Sequence, residues 1–490
     1  MQLRDPSLIQ TRLYIDGTWC AASNGHTFAV YDPATGEHIT DVSAGTTQDA
    51  VVAIESAKRA FSTWRKTTAK TRSELLLRWY AAIIDNADDL AIIMTREQGK
   101  PLAEAKAEIM YAASFIQWFA EEAKRTYGDV IPTTDNGKRL LTYRQPVGVV
   151  SAITPWNFPS AMLTRKVAPA LAAGCTFVIK PAEQTPLSAA ALVVLAERVG
   201  VPAGVINLVT TDDAPAVGEV LSTHPDVAKL TFTGSTPVGK RLLAQASTTV
   251  KRVSMELGGN APVLVFADAD LDQAVAGVVA SKYRNAGQTC ICINRVLVEA
   301  SVAEAFTVKL AAAVDALVVG NGFVDGVQIG PLISSEAKQK VAQLVDAALA
   351  DGAELRTQRS MADILGNDVA TEQYYPPTVL ANVDTSMAVV QQEIFGPVAP
   401  VLTFEDEAEA IALANATRFG LAAYVFTEDY RRQWRVSEAL EYGMIGMNDV
   451  AFTSEVIPFG GVKESGLGRE GSKYGIDEYI ETKLVCIGMA

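Results

Sequence analysis

Apolar residues fall on two rhythms along this chain, and the rhythm changes near residue 145. Between 47 and 124 they recur at three- and four-residue steps, as in segments 50–64 and 103–123, the spacing of helices with one buried face. Gly99-Lys100-Pro101 separates two of these helices, with the proline expected in the first turn of the second. Ahead of them, 13–15 and 28–31 read as short strands flanking turns at Asp16-Gly17 and Asn24-Gly25. From Gln145 onward, short β-branched runs alternate with helices. Strands are predicted at 147–153, 176–179, 205–209, 229–232 and 252–255, with helices at 161–173, 188–199, 214–221 and 238–246 between them. Near-continuous apolar strands spaced by helices indicate a parallel sheet covered on both faces. A second α/β round runs from about Ala261 to about Val450, with helices at 302–317 and 338–350 and a strand at 398–403. Two strand-like segments, 139–144 and 479–487, fit neither layer. Unpaired edges of this kind invite association, so the two are read as paired strands of a projecting element that mediates subunit contact.

Composition narrows the partners. At 490 residues the chain is too long for one simple core, and two or three domains are expected. A net charge of −14 argues against nucleic acid and anionic membrane and favours small molecules. Five cysteines (Cys20, Cys175, Cys290, Cys292, Cys486) show neither zinc spacing nor a disulfide framework, which fits a reducing, cytoplasmic setting. With only His26, His38 and His224, a histidine-rich metal site is not expected, and no metal is assigned. MQLRDPSLIQ has no apolar leader core, and no uncharged apolar stretch reaches membrane-spanning length.

The candidate chemistry lies in short glycine-rich turns. MELGGN at 255–260 carries Glu256, and GQTC at 287–290 carries Cys290. Glycine lets backbone approach a ligand closely. A cysteine so placed can attack a carbonyl, and a glutamate can activate water to cut the thioester. Taken singly, such a cysteine is also a small buried hydrophobe and such a glutamate a surface charge.

Parallel α/β sheets bind ligands at the carboxyl ends of their strands, which directs attention to three further segments. Thr154-Pro155-Trp156-Asn157-Phe158-Pro159 offers an amide for an oxyanion, or an Asx turn before a helix. Lys180-Pro181-Ala182-Glu183 offers a lysine and an acid for ribose hydroxyls, the acid repelling a 2′-phosphate. Thr233-Gly234-Ser235-Thr236-Pro237-Val238-Gly239 opens a helix suited to a pyrophosphate, although it is not the usual G-x-G-x-x-G.

Together PWNFP, KPAEQTP, FTGST, MELGGN, GQTC, EIFGP and PFGGVKESGLGRE resemble the aldehyde dehydrogenase superfamily in order and spacing, essentially end to end. The resemblance implies an α/β fold with a Rossmann-type cofactor domain (1–127 and 145–256), an α/β catalytic domain (257–455) and a β oligomerisation element (128–144 and 471–490). It implies Cys290 as nucleophile, Glu256 as general base and Asn157 as oxyanion amide. Trp156, Lys180, Glu183, Gly234, Ser235, Leu257, Glu393 and Phe395 follow as cofactor contacts. Glu183 favours NAD, with NADP possible, since members with serine there use NADP. A homodimer or homotetramer is implied.

Within the superfamily, EQGKPLAEAKAEIMYAASFIQWFAEEAKR, ITPWNFPSAMLTRK, SKYRNAGQTCICINR and REGSKYGIDEY are most similar to succinate-semialdehyde dehydrogenases. That subfamily holds its substrate's distal carboxylate with two arginines, which map to Arg165 and Arg284, and a guanidinium fork suits a carboxylate. The expected substrate is therefore a small ω-oxo acid, succinate semialdehyde first, with glutarate semialdehyde or a broader range of aromatic or amino aldehydes as the alternative. Residues 448–454, NDVAFTS, depart from the expected N-T-G-[LI]-I-S at the substrate mouth. Ser454 or Thr453 is expected to supply the hydroxyl there, with Asp449 and Phe452 changing charge and bulk. Cys292 is either filler or, as the resemblance implies, the partner of Cys290 in a reversible disulfide.

Overall fold

In a computed structural model of the chain, residues 2–365 and 373–489 are described; Met1, residues 366–372 and Ala490, which fall inside the expected domain spans, lie outside the described residues. The strand–helix alternation after Gln145 builds an eight-stranded sheet in the order Thr18–Cys20, Leu13–Ile15, Ile206–Leu208, Thr176–Lys180, Val149–Ile153, Val227–Thr233, Arg252–Glu256, Gly466–Leu467. The five strands from Ile206–Leu208 to Arg252–Glu256 are parallel and buried along most of their length, as their unbroken apolar runs require.

Val149–Ile153 is the first of these five in the chain but lies between the others. Chain order therefore reverses beside it, and the crevice beyond its carboxyl end is where such sheets take a ligand. The segments that leave the sheet at this point are 154–158 and Gly234-Ser235.

The sheet differs from expectation at its edges. Asp16 and Gly17, both left-handed (φ 53° and 77°), close a two-residue hairpin that adds Leu13–Ile15 and Thr18–Cys20. The predicted strand at 28–31 stays outside it and pairs with His38–Ser43 as a separate hairpin. Gly466–Leu467 arrives from far downstream to pair with Arg252–Glu256, and two residues are too few to leave a periodic signal.

The helical region forms Thr47–Trp64, Ala69–Asp85, Ala87–Gln98 and Leu102–Glu122. Gly99 (φ 91°) ends the third, and Pro101 caps the fourth rather than entering its first turn, because its extended backbone (ψ 143°) is not helical. Two buried acids then fix other helices. Glu108 accepts from the N–H groups of Ser160 and Ala161, and Glu97 from those of Leu187 and Ser188. Each satisfies orphan amides at a helix start, and Glu108 thereby pins Pro159–Ala173 at the crevice.

A second sheet orders Glu354–Leu355, Thr378–Ala381, Val398–Phe404, Ile293–Glu299, Ala261–Val265, Ala422–Phe426 and Met444–Met447 around its own apolar core, parallel except at the first strand. The two orphan segments do pair. Ile480–Gly488 runs antiparallel to Lys138–Pro146 from Ile480↔Pro146 to Gly488↔Lys138, with Val130–Ile131 on the far side. Val130, Tyr143, Leu484 and Ile487 are 43–77% exposed on this small sheet, so a single chain leaves its apolar side chains uncovered. Among the described residues, no helix is long and apolar enough to cross a membrane, and no group of three His, Cys, Asp or Glu side chains could hold a metal ion.

Candidate active site

Two cavities, of about 270 and 260 Å³, meet at Cys290. Phe158 and Met162 also line both. The cysteine lies three residues beyond a stretch of left-handed backbone, Asn285 (φ 50°), Ala286 (φ 54°) and Gly287 (φ 74°), that turns the chain into the site. Close approach explains two glycines here. A Cβ on Gly287 would lie 2.1 Å from the Gly396 carbonyl oxygen, and one on Gly259 would lie 2.3 Å from that of Cys290. The glycines of GQTC and MELGGN therefore let these loops touch EIFGP and each other.

Burial pushes the Cys290 thiol up to about 12, helped by the negative charges of Glu393 and Glu256 and opposed by Arg165. Glu256 ends its strand 3% exposed, and neither carboxylate oxygen has a hydrogen-bond partner among the described residues. Burial first, and then the Glu470 carboxylate, hold its pKa well above the usual carboxylate range, against Arg165 and Lys166. Glu256 is not among the residues lining either cavity; it rests against Gly460, whose Cβ would come 3.0 Å from Glu256 Oε1. A buried, unpartnered carboxylate near a thiol can take a proton from water or sulfur. Asn157 Nδ2 donates to the Gln288 carbonyl at 3.0 Å, leaving its second proton uncommitted to any protein acceptor among the described residues.

One cavity collects the expected cofactor residues Trp156, Gly234, Ser235, Leu257, Glu393 and Phe395, with Asn157 and Lys340. Ser235 precedes helix Thr236–Ala246 and makes no side-chain cap bond, so that helix start keeps amides for an anion. Trp156 and Phe395 meet edge-to-face at 5.6 Å, Phe395 in a left-handed conformation (φ 56°). Glu393 Oε1 accepts from the Gly259 N–H at 2.9 Å; burial raises its pKa to about 7, offset by that N–H and by Lys340. Lys180 and Glu183 lie outside this cavity, at the end of the adjoining strand, 3.5 Å apart. An apolar ring slot, a helix start with open amides and a lysine–acid pair one strand away fit the successive parts of a dinucleotide.

The other cavity is lined by Glu104, Glu108, Tyr111, Arg165, Arg284, Thr289, Thr453 and Phe459 among others. The two arginines differ. Arg165, 1% exposed, stands 3.1 Å from Glu470 and 3.8 Å over the Phe459 ring. Lys166 donates to the same carboxylate and, at 2.6 Å, to Thr233. Arg284 is half-buried, stands 5.5 Å over the Phe158 ring and makes no ion pair among the described residues. Tyr111 and Thr453 bring neutral hydroxyls to the same cavity.

The mouth departs from expectation. Thr453 lines the cavity and Ser454 does not, because Ser454 is used in a turn whose carbonyl accepts from Ile457. Asp449 is exposed and accepts from the Ala451 N–H, and Phe452 packs 5.7 Å from Tyr424. Neither lines the cavity. Cys292 is buried, its sulfur 3.7 Å from Lys282 Nζ and 3.4 Å from the Gly287 carbonyl, and both it and Cys290 are free thiols. Glu104, Glu108 and Tyr111 escaped sequence reasoning, although their i, i+4, i+7 spacing sets a polar stripe on an apolar helix.

The aldehyde dehydrogenase family profile matches residues 19–485, and the chain belongs to that family, whose members use NAD or NADP. It is 54% identical to 3-sulfolactaldehyde dehydrogenase of Pseudomonas putida, covering 100% of this chain and 99% of that protein. It is 53% identical to glutarate-semialdehyde dehydrogenase of Pseudomonas putida strain KT2440, with both chains covered fully. The crystal structure of succinate-semialdehyde dehydrogenase from Burkholderia pseudomallei superposes with a TM-score of 0.96 at 53% identity, covering 100% of each chain.

Proposed function

We propose that this chain oxidises a small ω-oxo acid to the corresponding diacid with a nicotinamide cofactor, preferring succinate semialdehyde and NAD. The observation that carries this reading is the placement of Cys290 at the meeting of a cavity with an unpaired arginine and a cavity shaped for a cofactor. Arg284 holds the distal carboxylate and aims the aldehyde carbon at the sulfur, with Tyr111 and Thr453 as neutral partners. The Cys290 thiol gives up its proton to water, its sulfur bonds to the aldehyde carbon, and the Asn157 amide with the Cys290 N–H steadies the resulting oxyanion. A bound nicotinamide supplies the hydride acceptor. Once the hydride has left, Cys290 carries a thioester. Glu256 takes a proton from water, the hydroxide adds to the acyl carbon, the C–S bond breaks to release the acid, and Glu256 returns its proton to the departing sulfur to restore the thiol.

Glutarate semialdehyde is the second reading. The substrates named for the similar proteins all end in an acid group, and they include glutarate semialdehyde. A kcat/KM panel of succinate, glutarate and neutral aldehydes with NAD and NADP tests both. Higher efficiency on benzaldehyde or an aminoaldehyde sinks the ω-oxo acid reading.

The eight-stranded sheet with its helices serves as cofactor domain, the seven-stranded sheet as catalytic domain, and the three-stranded sheet as the contact between copies of a cytoplasmic homodimer or homotetramer. Its exposed Val130, Tyr143, Leu484 and Ile487 support the last assignment. Light scattering that finds a monomer at micromolar concentration refutes it.

A further inference from the structure

Asn285 is 1% exposed, lines neither cavity, and spends its whole side chain on two other segments and on its own loop. Its Oδ1 accepts from Gln98 Nε2 at 3.0 Å. Its Nδ2 donates to the Asn157 carbonyl at 3.0 Å and to the Gln288 carbonyl at 3.3 Å. The Gln288 carbonyl also accepts from Asn157 Nδ2 at 3.0 Å, so three amides close a ring of hydrogen bonds. The backbone of Asn285 is held as well, its N–H donating to Glu104 at 3.0 Å and its carbonyl accepting from Gln288 Nε2 at 3.0 Å. Lys100 Nζ completes the ring's outer side, donating to the Asn157 carbonyl at 2.8 Å and to Glu108 at 2.6 Å.

We propose that Asn285 is a positioning residue that couples the oxyanion amide to the nucleophile, setting the distance between Asn157 and Cys290 through this ring. The inference rests on the aldehyde dehydrogenase reading above. Two properties select asparagine here. It tolerates the left-handed conformation (φ 50°, ψ 37°) that turns the loop inward, and it has one acceptor and two donor protons, the number the three neighbours require. Glycine keeps the first property without the second. Aspartate keeps the turn and the bond from Gln98, but sets a carboxylate oxygen against two carbonyl oxygens. The ring reaches the oxyanion through Asn157, one of whose amide protons it uses while leaving the other, and reaches the sulfur through the Gln288 carbonyl two residues before Cys290. A group serving a charge that develops in the transition state should move kcat more than binding.

The decisive experiment is a double-mutant cycle between Asn285→Gly and Asn157→Ala, read in steady-state dehydrogenase kinetics and in the pre-steady-state burst of reduced cofactor. Asn285→Gly is expected to fold and to lower kcat and the burst rate by about tenfold or more, with KM for aldehyde and Kd for the cofactor within about twofold of wild type. In the Asn157→Ala background the same change should cost less than about threefold, because the group it positions is gone. Kinetics of Asn285→Gly within about threefold of wild type, or an equal loss in both backgrounds, overturns the proposal. If Asn285→Gly does not fold, Gln98→Glu replaces it in the cycle, since it opposes Asn285 Oδ1 while keeping the acceptor for the Lys100 N–H. Wild-type protein with no cofactor-dependent aldehyde oxidation refutes the functional reading instead, and the two failures are distinct.

Discussion

Replacing Arg284 by glutamine should separate acid-ended aldehydes from neutral ones, and replacing Arg165 should not. The family resemblance assigns both arginines to the distal carboxylate, but their surroundings are unequal. The Arg165 guanidinium lies 3.1 Å from Glu470, and Lys166 shares the same acid. Two cations share one anion there, so Arg165 keeps only part of its charge for the cavity and its side chain is already held by a protein acid. Arg284 has no such anion among the described residues, although the Nε of both arginines and Nη2 of Arg165 alike lack a hydrogen-bond partner there. A charge-assisted contact contributes about 1.5–3 kcal/mol, which corresponds to about 10- to 150-fold in kcat/KM. Because Arg284 is half-buried, solvent screens part of this and the lower half of the range is expected. Arg284→Gln should therefore reduce kcat/KM for succinate and glutarate semialdehydes by about 10- to 40-fold while leaving propanal within about threefold. Arg165→Gln leaves Glu470 with one buried cation fewer and removes a positive charge that opposes the high pKa of Glu256. Its penalty should fall on every aldehyde and should appear in kcat. The assay is cofactor reduction at saturating cofactor with each aldehyde as varied substrate. Equal losses on propanal and succinate semialdehyde in Arg284→Gln, or a carboxylate-selective loss confined to Arg165→Gln, would refute the division of roles.

Cys290→Ala should abolish turnover, and Glu256→Gln should trap the acyl group on Cys290, seen as added mass on the intact protein; retained activity in the alanine variant removes Cys290 as nucleophile. Alkylation of Cys290 by iodoacetamide in cofactor-free protein should rise about tenfold per pH unit from about pH 7 to pH 9 without a plateau, because the thiol, pushed up to about 12, is still protonated throughout. Glu393→Gln removes a negative charge that raises that thiol, so it should speed alkylation at any given pH, and slower alkylation would contradict the assigned cause. Deacylation should gain rate with rising pH, since the raised pKa of Glu256 keeps its carboxyl protonated until higher pH than an ordinary glutamate, and a rate that falls across the same range argues for another base. Glu183→Ser should narrow the preference for NAD over NADP in kcat/KM, and an unchanged ratio moves the selection to another residue. Peroxide should inactivate wild type in a way that dithiothreitol reverses, and Cys292→Ala should lose the reversal if the two cysteines join.

How much of this site could be read from the chain depends on whether a residue works through local backbone or through a distant side chain. Glycine carries its reason with it. Gly287 and Gly259 sit where any Cβ would strike a carbonyl oxygen, so each short motif announces a close approach even though its neighbour is unknown. The strands after Gln145 were legible for a similar reason, because burial on both faces leaves an unbroken apolar run. The lock on Arg165 was not legible. Glu470 lies 305 positions away, within a run whose glycines draw the eye, and nothing near Arg165 foretells a buried acid. Ser454 failed as a reading of the cavity wall because adjacent residues of an irregular segment need not face the same way, and here Thr453 faces the cavity. The stripe Glu104, Glu108, Tyr111 stands between these cases. Its helical spacing was visible, but a polar face on a helix is ordinarily a wet one, and only the packing of Leu102–Glu122 against Pro159–Ala173 turns it inward. The consequence is chemical as well as structural. Glu108 is neutralised by Lys100 and by two helix amides, whereas Glu104 has only the Asn285 N–H, and burial holds its pKa above the usual range. Glu104 makes no ion pair with Arg284 among the described residues, which leaves that arginine's charge available to substrate, the condition the carboxylate-binding role requires.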